Sequence, residues 1–174
     1  MSSSPAPGAG APLVARRDLT FRHCLGHFVT GVAVASYDTE GLPRGLTVNS
    51  FTSVSLDPPL VLICLDRRSR AVGTLPGRSF AINMLTADQR ELAWHFAGRP
   101  SVEPPAWRRI GDVPLLRESL AWLVCEPWST HDAGDHVIVI GRVSAYGAAD
   151  EAPLCFFRGE LLDLPSRWRD AAMV

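Results

Sequence analysis

The chain has no lysine: all 17 of its basic residues are arginine. Compositional bias is enough to explain this, but it leaves phosphate binding to guanidinium, hydroxyl or backbone groups. No two cysteines have CxxC spacing. Cys24, Cys64, Cys125 and Cys155 each sit among apolar residues. The sequence therefore predicts four reduced, buried thiols and a cytoplasmic location, not a disulfide scaffold. No apolar run approaches the ~20 residues that span a bilayer. The N-terminus lacks the basic and apolar segments of a signal peptide. A net charge of −1 provides no overall field toward nucleic acid or anionic membrane. No internal repeat is visible.

Several catalytic signatures are also missing. There is no GxGxxG after a strand, no GxxxxGK[ST], no HExxH and no GxSxG. These absences disfavour a Rossmann dinucleotide site, a P-loop ATPase, a zincin and an α/β-hydrolase.

What is present is 174 residues, 47% of them hydrophobic. That suits one domain, able to bury roughly 70% of its unfolded surface without staples. Residues 1–15, rich in Ser, Pro, Gly and Ala, predict a disordered tail. The domain is expected over 16–165, and 166–174 forms a second tail.

Asp18 can cap a helix in which Phe21, Leu25, Phe28 and Val29 form one apolar stripe, ended by Gly31. His23 and His27 lie four apart on it, but no third metal ligand is near, so solvated histidines are expected. Val32–Tyr37 predicts a strand, and Leu60–Leu65 one covered on both faces. A short helix over Ala71–Leu75 takes Ser69 as its cap. After a strand at Ser79–Leu85, Thr86 and Gln89 match a capping box, and Gly98 stops that helix. Residues 99–118 read as an irregular, Pro-rich excursion. Leu120–Glu126 and His136–Tyr146 predict strands joined by the loop WSTHDAGD. Two short strands, near Leu154–Phe157 and Glu160–Leu164, finish the chain. The count is about seven strands and three helices. Short turns between the strands argue for an antiparallel barrel with flanking helices.

Arg44–Arg70 organises the rest: RGLTVNSFTSVSLDPPLVLICLDRRSR. Two apolar strands carry two polar clusters, Thr47/Asn49/Ser50 and Ser69 with its arginines. A helix start beside three arginines suits an anion, and a solvated basic turn is the alternative. His131, Asp132, Asp135 and His136 group in one hairpin, where a turn chosen for backbone geometry is the plainer reading. Apolar neighbours should raise the Cys64 thiol pKa and make it inert. The five tryptophans read as core or interface residues.

The runs TGVAVAS, GLTVNSFTSVSLDPPLVLICL, FAINMLTADQRELAWHFAG, GDHVIVIGRV and PLCFFRGELLDL resemble the flavin reductase family, in that order, over about residues 18–164. The resemblance implies an antiparallel FMN-binding split barrel and a homodimer. It implies reduction of FMN, or of FAD, by NADH or NADPH, with the reduced flavin passed to a separate monooxygenase. Carried over by position, Arg44, Gly45, Leu46, Thr47, Asn49 and Ser50 would line the isoalloxazine and ribityl chain. Cys64, Leu65 and Asp66 would continue that wall, and Ser69 and Arg70 would meet the phosphate. His95 and Phe96 would add a flavin contact, and His136 would line the nicotinamide pocket. No catalytic side chain and no metal are implied, because hydride transfer requires positioning and not a protein nucleophile. Ala71 departs from the family, where many relatives carry a second hydroxyl residue. Two other readings stay open at this point. One is a flavoprotein that keeps FMN as a prosthetic group for another redox reaction. The other is a non-catalytic flavin-binding or redox-sensing module.

Overall fold

A computed structural model describes residues 20–99 and 103–164. The two tails and the Asp18 cap lie outside the described residues. A short helix, α1 (Phe21–Leu25), takes Thr20 as its cap, with the Thr20 hydroxyl accepting from His23 N. Strands follow in the order β1 (Thr30–Gly31), β2 (Ala33–Thr39), β3 (Leu42–Val48), β4 (Thr52–Leu56), β5 (Pro59–Asp66) and β6 (Phe80–Met84). Helix α2 (Arg90–Phe96) comes next. The chain then forms β7 (Trp107–Ile110), β8 (Val113–Leu116), β9 (Ala121–Ala133), β10 (His136–Ala148), β11 (Leu154–Phe157) and β12 (Glu160–Asp163).

The main sheet has seven strands in the order β3-β2-β6-β9-β10-β5-β4, and every pairing in it is antiparallel. Its two edges, β3 and β4, are consecutive in sequence. In a flat sheet they would stand about 29 Å apart, six strand spacings of ~4.8 Å. Only residues 49–51 separate Val48 from Thr52, and that link reaches at most about 14 Å. The sheet therefore curls until the joined ends of its two edges stand within that reach, and Asn49-Ser50-Phe51 crosses the seam. This is the mainly β, antiparallel split barrel that the family resemblance implies. A smaller sheet, β1-β11-β12, and α2 pack outside it.

The barrel interior is filled by Ile63, Leu65, Leu75, Phe80 and Ile82, all fully buried. Asn83 is buried as well, and its polar atoms are satisfied. Its Nδ2 donates to Val34 O and Ser36 Oγ, each at 2.9 Å. Its Oδ1 accepts from Leu116 N at 2.9 Å, and Ser36 Oγ donates to Pro114 O at 2.6 Å. Burying an amide costs less when every group is paired. This network ties β8 to the barrel.

Five expectations need correction. The excursion expected over 99–118 contains the β7–β8 hairpin, whose Val113, Leu115 and Leu116 are buried. Most of the WSTHDAGD loop is strand, because β9 runs to Ala133 and pairs with His136 across a two-residue Gly134-Asp135 turn. Leu60–Leu65 is not covered on both faces: β5 alternates buried and half-buried positions. The stripe of Phe21, Leu25, Phe28 and Val29 is exposed, with Phe21 79% accessible, and α1 ends at Leu25 instead of running to Gly31. Cys24, expected to be buried, is exposed, and Cys64 is half-buried.

Candidate functional site

The seam lies beside a cavity of about 1180 Å³. Ligand pockets usually measure roughly 300–1,000 Å³, so there is room for more than one small molecule. Four groups of elements build the walls. Strand β3 and the seam contribute Thr47 and Asn49. The paired ends of β5 and β10 contribute Asp66 and His136. Helix α2 contributes Ala93, Trp94 and Ala97. Helix α1, the link after it and the β11–β12 turn contribute Phe21, Arg22, Phe28 and Arg158.

Backbone register fixes these groups. His136 pairs with Asp66 across β10 and β5, and Cys64 pairs with Ile138. Ser50 is bound into the seam: Cys64 N donates to its Oγ at 2.9 Å, and its Oγ donates to Cys64 O at 3.1 Å. The Thr47 hydroxyl donates to Ala93 O at 2.6 Å, joining β3 to α2. Asn49 is exposed at the cavity wall. Thr30 lies in the same wall and holds a buried hydroxyl with no partner among the described residues.

Electrostatics divide the rim. Arg68 hydrogen-bonds Asp66 and holds its carboxyl well below the usual carboxylate range, with the Arg68 backbone N–H adding to the effect. His136 Nδ1 sits 2.7 Å from Asp135 Oδ1, and this contact lowers the Asp135 pKa. Burial raises the Cys64 thiol pKa, partly opposed by the Ser50 hydrogen bond. Among the described residues, no group of three or more His, Cys, Asp or Glu could hold a metal.

Of the residues predicted from sequence, Thr47, Asn49, Asp66 and His136 line the cavity together. Ser50 lies in the seam, hydrogen-bonded to Cys64 of β5, and neither residue lines the cavity. Leu65 points into the core and is fully buried. Gly45 lies under the Phe96 ring, which packs edge-on against His95 at 4.8 Å and Trp107 at 5.7 Å. Arg44 is exposed and Leu46 half-buried on β3. Ser69 caps the 3-10 turn Arg70–Gly73 by accepting from Ala71 N at 3.2 Å. Ser69 and Arg70 follow Arg68, which lines the rim, but are not themselves among the lining residues. Sequence reasoning missed Trp94, Arg22 and Arg158. Trp94 and Arg158 lie within the runs FAINMLTADQRELAWHFAG and PLCFFRGELLDL, which assign them no role, and only the tertiary fold brings α1, α2 and the β11–β12 turn to one cavity.

These residues suit a flavin. The wall offers an exposed amide and a hydroxyl beside a large apolar-and-polar space, with no metal-binding set among the described residues.

Residues 25–165 match the family described as the flavin reductase like domain. An NADH-dependent flavin reductase from a Rhodococcus species is 38% identical over 164 residues, covering 87% of this chain and 89% of that protein. The styrene monooxygenase flavin reductase from Pseudomonas putida S12 superposes with a TM-score of 0.79 at 38% identity, covering 84% of this chain and 98% of the other. The NADH:FAD oxidoreductase SgcE6 of Streptomyces globisporus C-1027, solved with NAD and FAD fragments, gives 0.80 at 34% identity, covering 90% and 98%. With its sheet edges closed on a polar seam and its whole domain matched, this chain belongs to the flavin reductase family.

Proposed function

We propose that this chain is an NAD(P)H:flavin oxidoreductase that reduces FMN or FAD and supplies the reduced flavin to a separate monooxygenase component. Family membership over residues 25–165, together with the cavity at the barrel seam, carries this reading.

A bound flavin supplies the ring that accepts a hydride from the dihydronicotinamide. The chain's own residues bind and orient. Thr47, Asn49 and the backbone of Arg44–Leu46 would meet the ring and ribityl chain, with Ser50, Cys64, Leu65 and Asp66 fixing the strand that backs them. Ser69 and Arg70 would hold the phosphate. His95 and Phe96 would set the position of β3 from behind, through the packing of Phe96 on Gly45. His136, oriented by Asp135 at 2.7 Å, would face the nicotinamide. Phe28 and Trp94 would exclude water, which strengthens every polar contact inside. No side chain has to act as an acid or base, in keeping with a site rich in small polar groups. A ring held largely by backbone can leave, as a flavin delivered to another protein must.

A homodimer fits the exposed Phe21, Leu25, Phe28 and Val29 beside the cavity, since a second copy would cover them. No helix among the described residues is long and apolar enough to cross a membrane. The reaction and the free thiols suit the cytoplasm.

The test is oxidation of NADH and NADPH by purified protein, with and without FMN or FAD. Flavin-dependent turnover is expected. Its absence with both nucleotides refutes the reading.

A further inference from the structure

Five of the arginines in the described residues have a carboxylate partner: Arg67 with Asp132, Arg68 with Asp66, Arg90 with Asp163, Arg109 with Asp38 and Arg142 with Glu126. Three arginines line the cavity: Arg22, Arg68 and Arg158. Asp66 neutralises Arg68, and the other cavity carboxylate, Asp135, faces His136. Arg22 and Arg158 therefore stand over the cavity without a carboxylate partner among the described residues.

The fold brings these two together. Gly26 N donates to Arg22 O at 3.0 Å, and Arg158 N donates to Gly26 O at 2.9 Å. A Cβ on Gly26 would lie 3.5 Å from the Arg158 Cα. Arg158 also holds a left-handed backbone, φ +52°, next to Gly159 at φ +92°. Both angles are those of the two-residue turn that joins β11 to β12, which holds Arg158 at a fixed place on the cavity rim. Its guanidinium lies 6.0 Å from the Phe157 ring centroid, which leaves its N–H donors available.

We propose that Arg22 and Arg158 form a clamp for the diphosphate of a dinucleotide, on the wall built by α1 and the β11–β12 turn. This rests on the flavin reductase reading above. A guanidinium meets two phosphate oxygens at once, and two guanidiniums without a carboxylate partner among the described residues match the two charges of a diphosphate ester. The wall is distinct from the Thr47–Asn49 wall and from the Ser69–Arg70 turn. NAD(P)H and FAD both carry a diphosphate, whereas FMN does not.

The test is steady-state kinetics of Arg22→Gln, Arg158→Gln and the double variant, first with FMN as acceptor and then with FAD. With FMN, only the nicotinamide nucleotide carries a diphosphate. Each variant should then raise KM for NADH about ten-fold, and ADP-ribose should weaken as a competitor to the same degree. KM for FMN should stay within about two-fold. A rise confined to KM for FAD assigns the same clamp to the flavin's diphosphate. Arg158→Lys, which keeps the charge on the same backbone, should recover part of the loss. If Arg158→Gln melts early, Arg22→Gln alone decides. Unchanged KM values for NADH and FAD, or a rise confined to FMN, overturn the proposal. Wild-type protein without flavin-dependent turnover would instead refute the underlying activity.

Discussion

Gly45 lies flat beneath the ring of Phe96: a Cβ built on Gly45 would come within 2.7 Å of Phe96 Cε1 and 2.8 Å of Cδ1. The contact lets α2 settle against β3, and the hydrogen bond from Thr47 to Ala93 O locks it one turn away. Gly45→Ala should therefore destabilise the fold by about 1–3 kcal/mol, the usual range for overpacking. Calorimetry would read this as a lower Tm. Adding Phe96→Leu should return part of the loss, because the smaller side chain makes room. A Gly45→Ala protein as stable as wild type would show that the two elements are not pressed together.

Ser50 serves the seam in both directions, accepting from Cys64 N and donating to Cys64 O. Ser50→Ala leaves both groups without that partner. The expected cost is about 1–2 kcal/mol of unfolding free energy. Because Asn49 is the next residue, apparent affinity for flavin should fall as well. Denaturant unfolding and flavin titration measure the two effects separately.

The four thiols should separate by environment. Cys24 is exposed, whereas Cys125 is fully buried and its pKa is pushed up to about 12 from an ordinary 9.0. Burial also raises Cys64 and Cys155. A thiol reagent at pH 8 should label Cys24 quickly, half-buried Cys64 more slowly, and Cys125 and Cys155 only after denaturation. The linkage has a definite sign. The folded state keeps the Cys125 proton that the unfolded state gives up, so this contribution is whole below pH 9 and disappears as pH rises toward 12. Stability should fall over that interval, and Cys125→Ser should flatten the fall. Rapid labelling of Cys125 in the native protein would contradict its placement.

His136 sits at the cavity wall, held by Asp135 at 2.7 Å and paired across the sheet with Asp66. His136→Ala should raise KM for NAD(P)H by roughly ten-fold and change KM for flavin much less, as expected for loss of one hydrogen-bonded contact. The reverse pattern would move His136 to the flavin side. Asp135→Asn should produce a smaller shift in the same direction, because it frees the ring without removing it.

The sequence was most legible where short-range chemistry decides the outcome. Thr86 and Gln89 form the reciprocal cap that their spacing implies, with Gln89 Oε1 accepting from Thr86 N at 3.0 Å. Gly98 ends α2 at φ +94°, and Ser69 caps the turn after β5. Legibility failed where long-range contacts decide. The far half of β9, Trp128–Ala133, is polar and largely exposed. Its strand state comes from pairing with β10, which no apolar alternation reveals. The β7–β8 hairpin, Pro114 included, owes its place to the buried Asn83 amide, whose own sequence context is ordinary. At the cavity, Thr47, Asn49, Asp66 and His136 fall within recognisable runs of sequence. Arg22 falls in no such run, and although Trp94 and Arg158 do, nothing local shows that their elements meet at one cavity.

The most direct measurement mixes the protein anaerobically with NADH and a large excess of FMN over chain, and follows the flavin's visible absorbance. A reductase that releases its product bleaches the whole excess, many equivalents per chain. Bleaching that stops at one equivalent, or no bleaching with either NADH or NADPH, would contradict a dissociable flavin reduced at this seam.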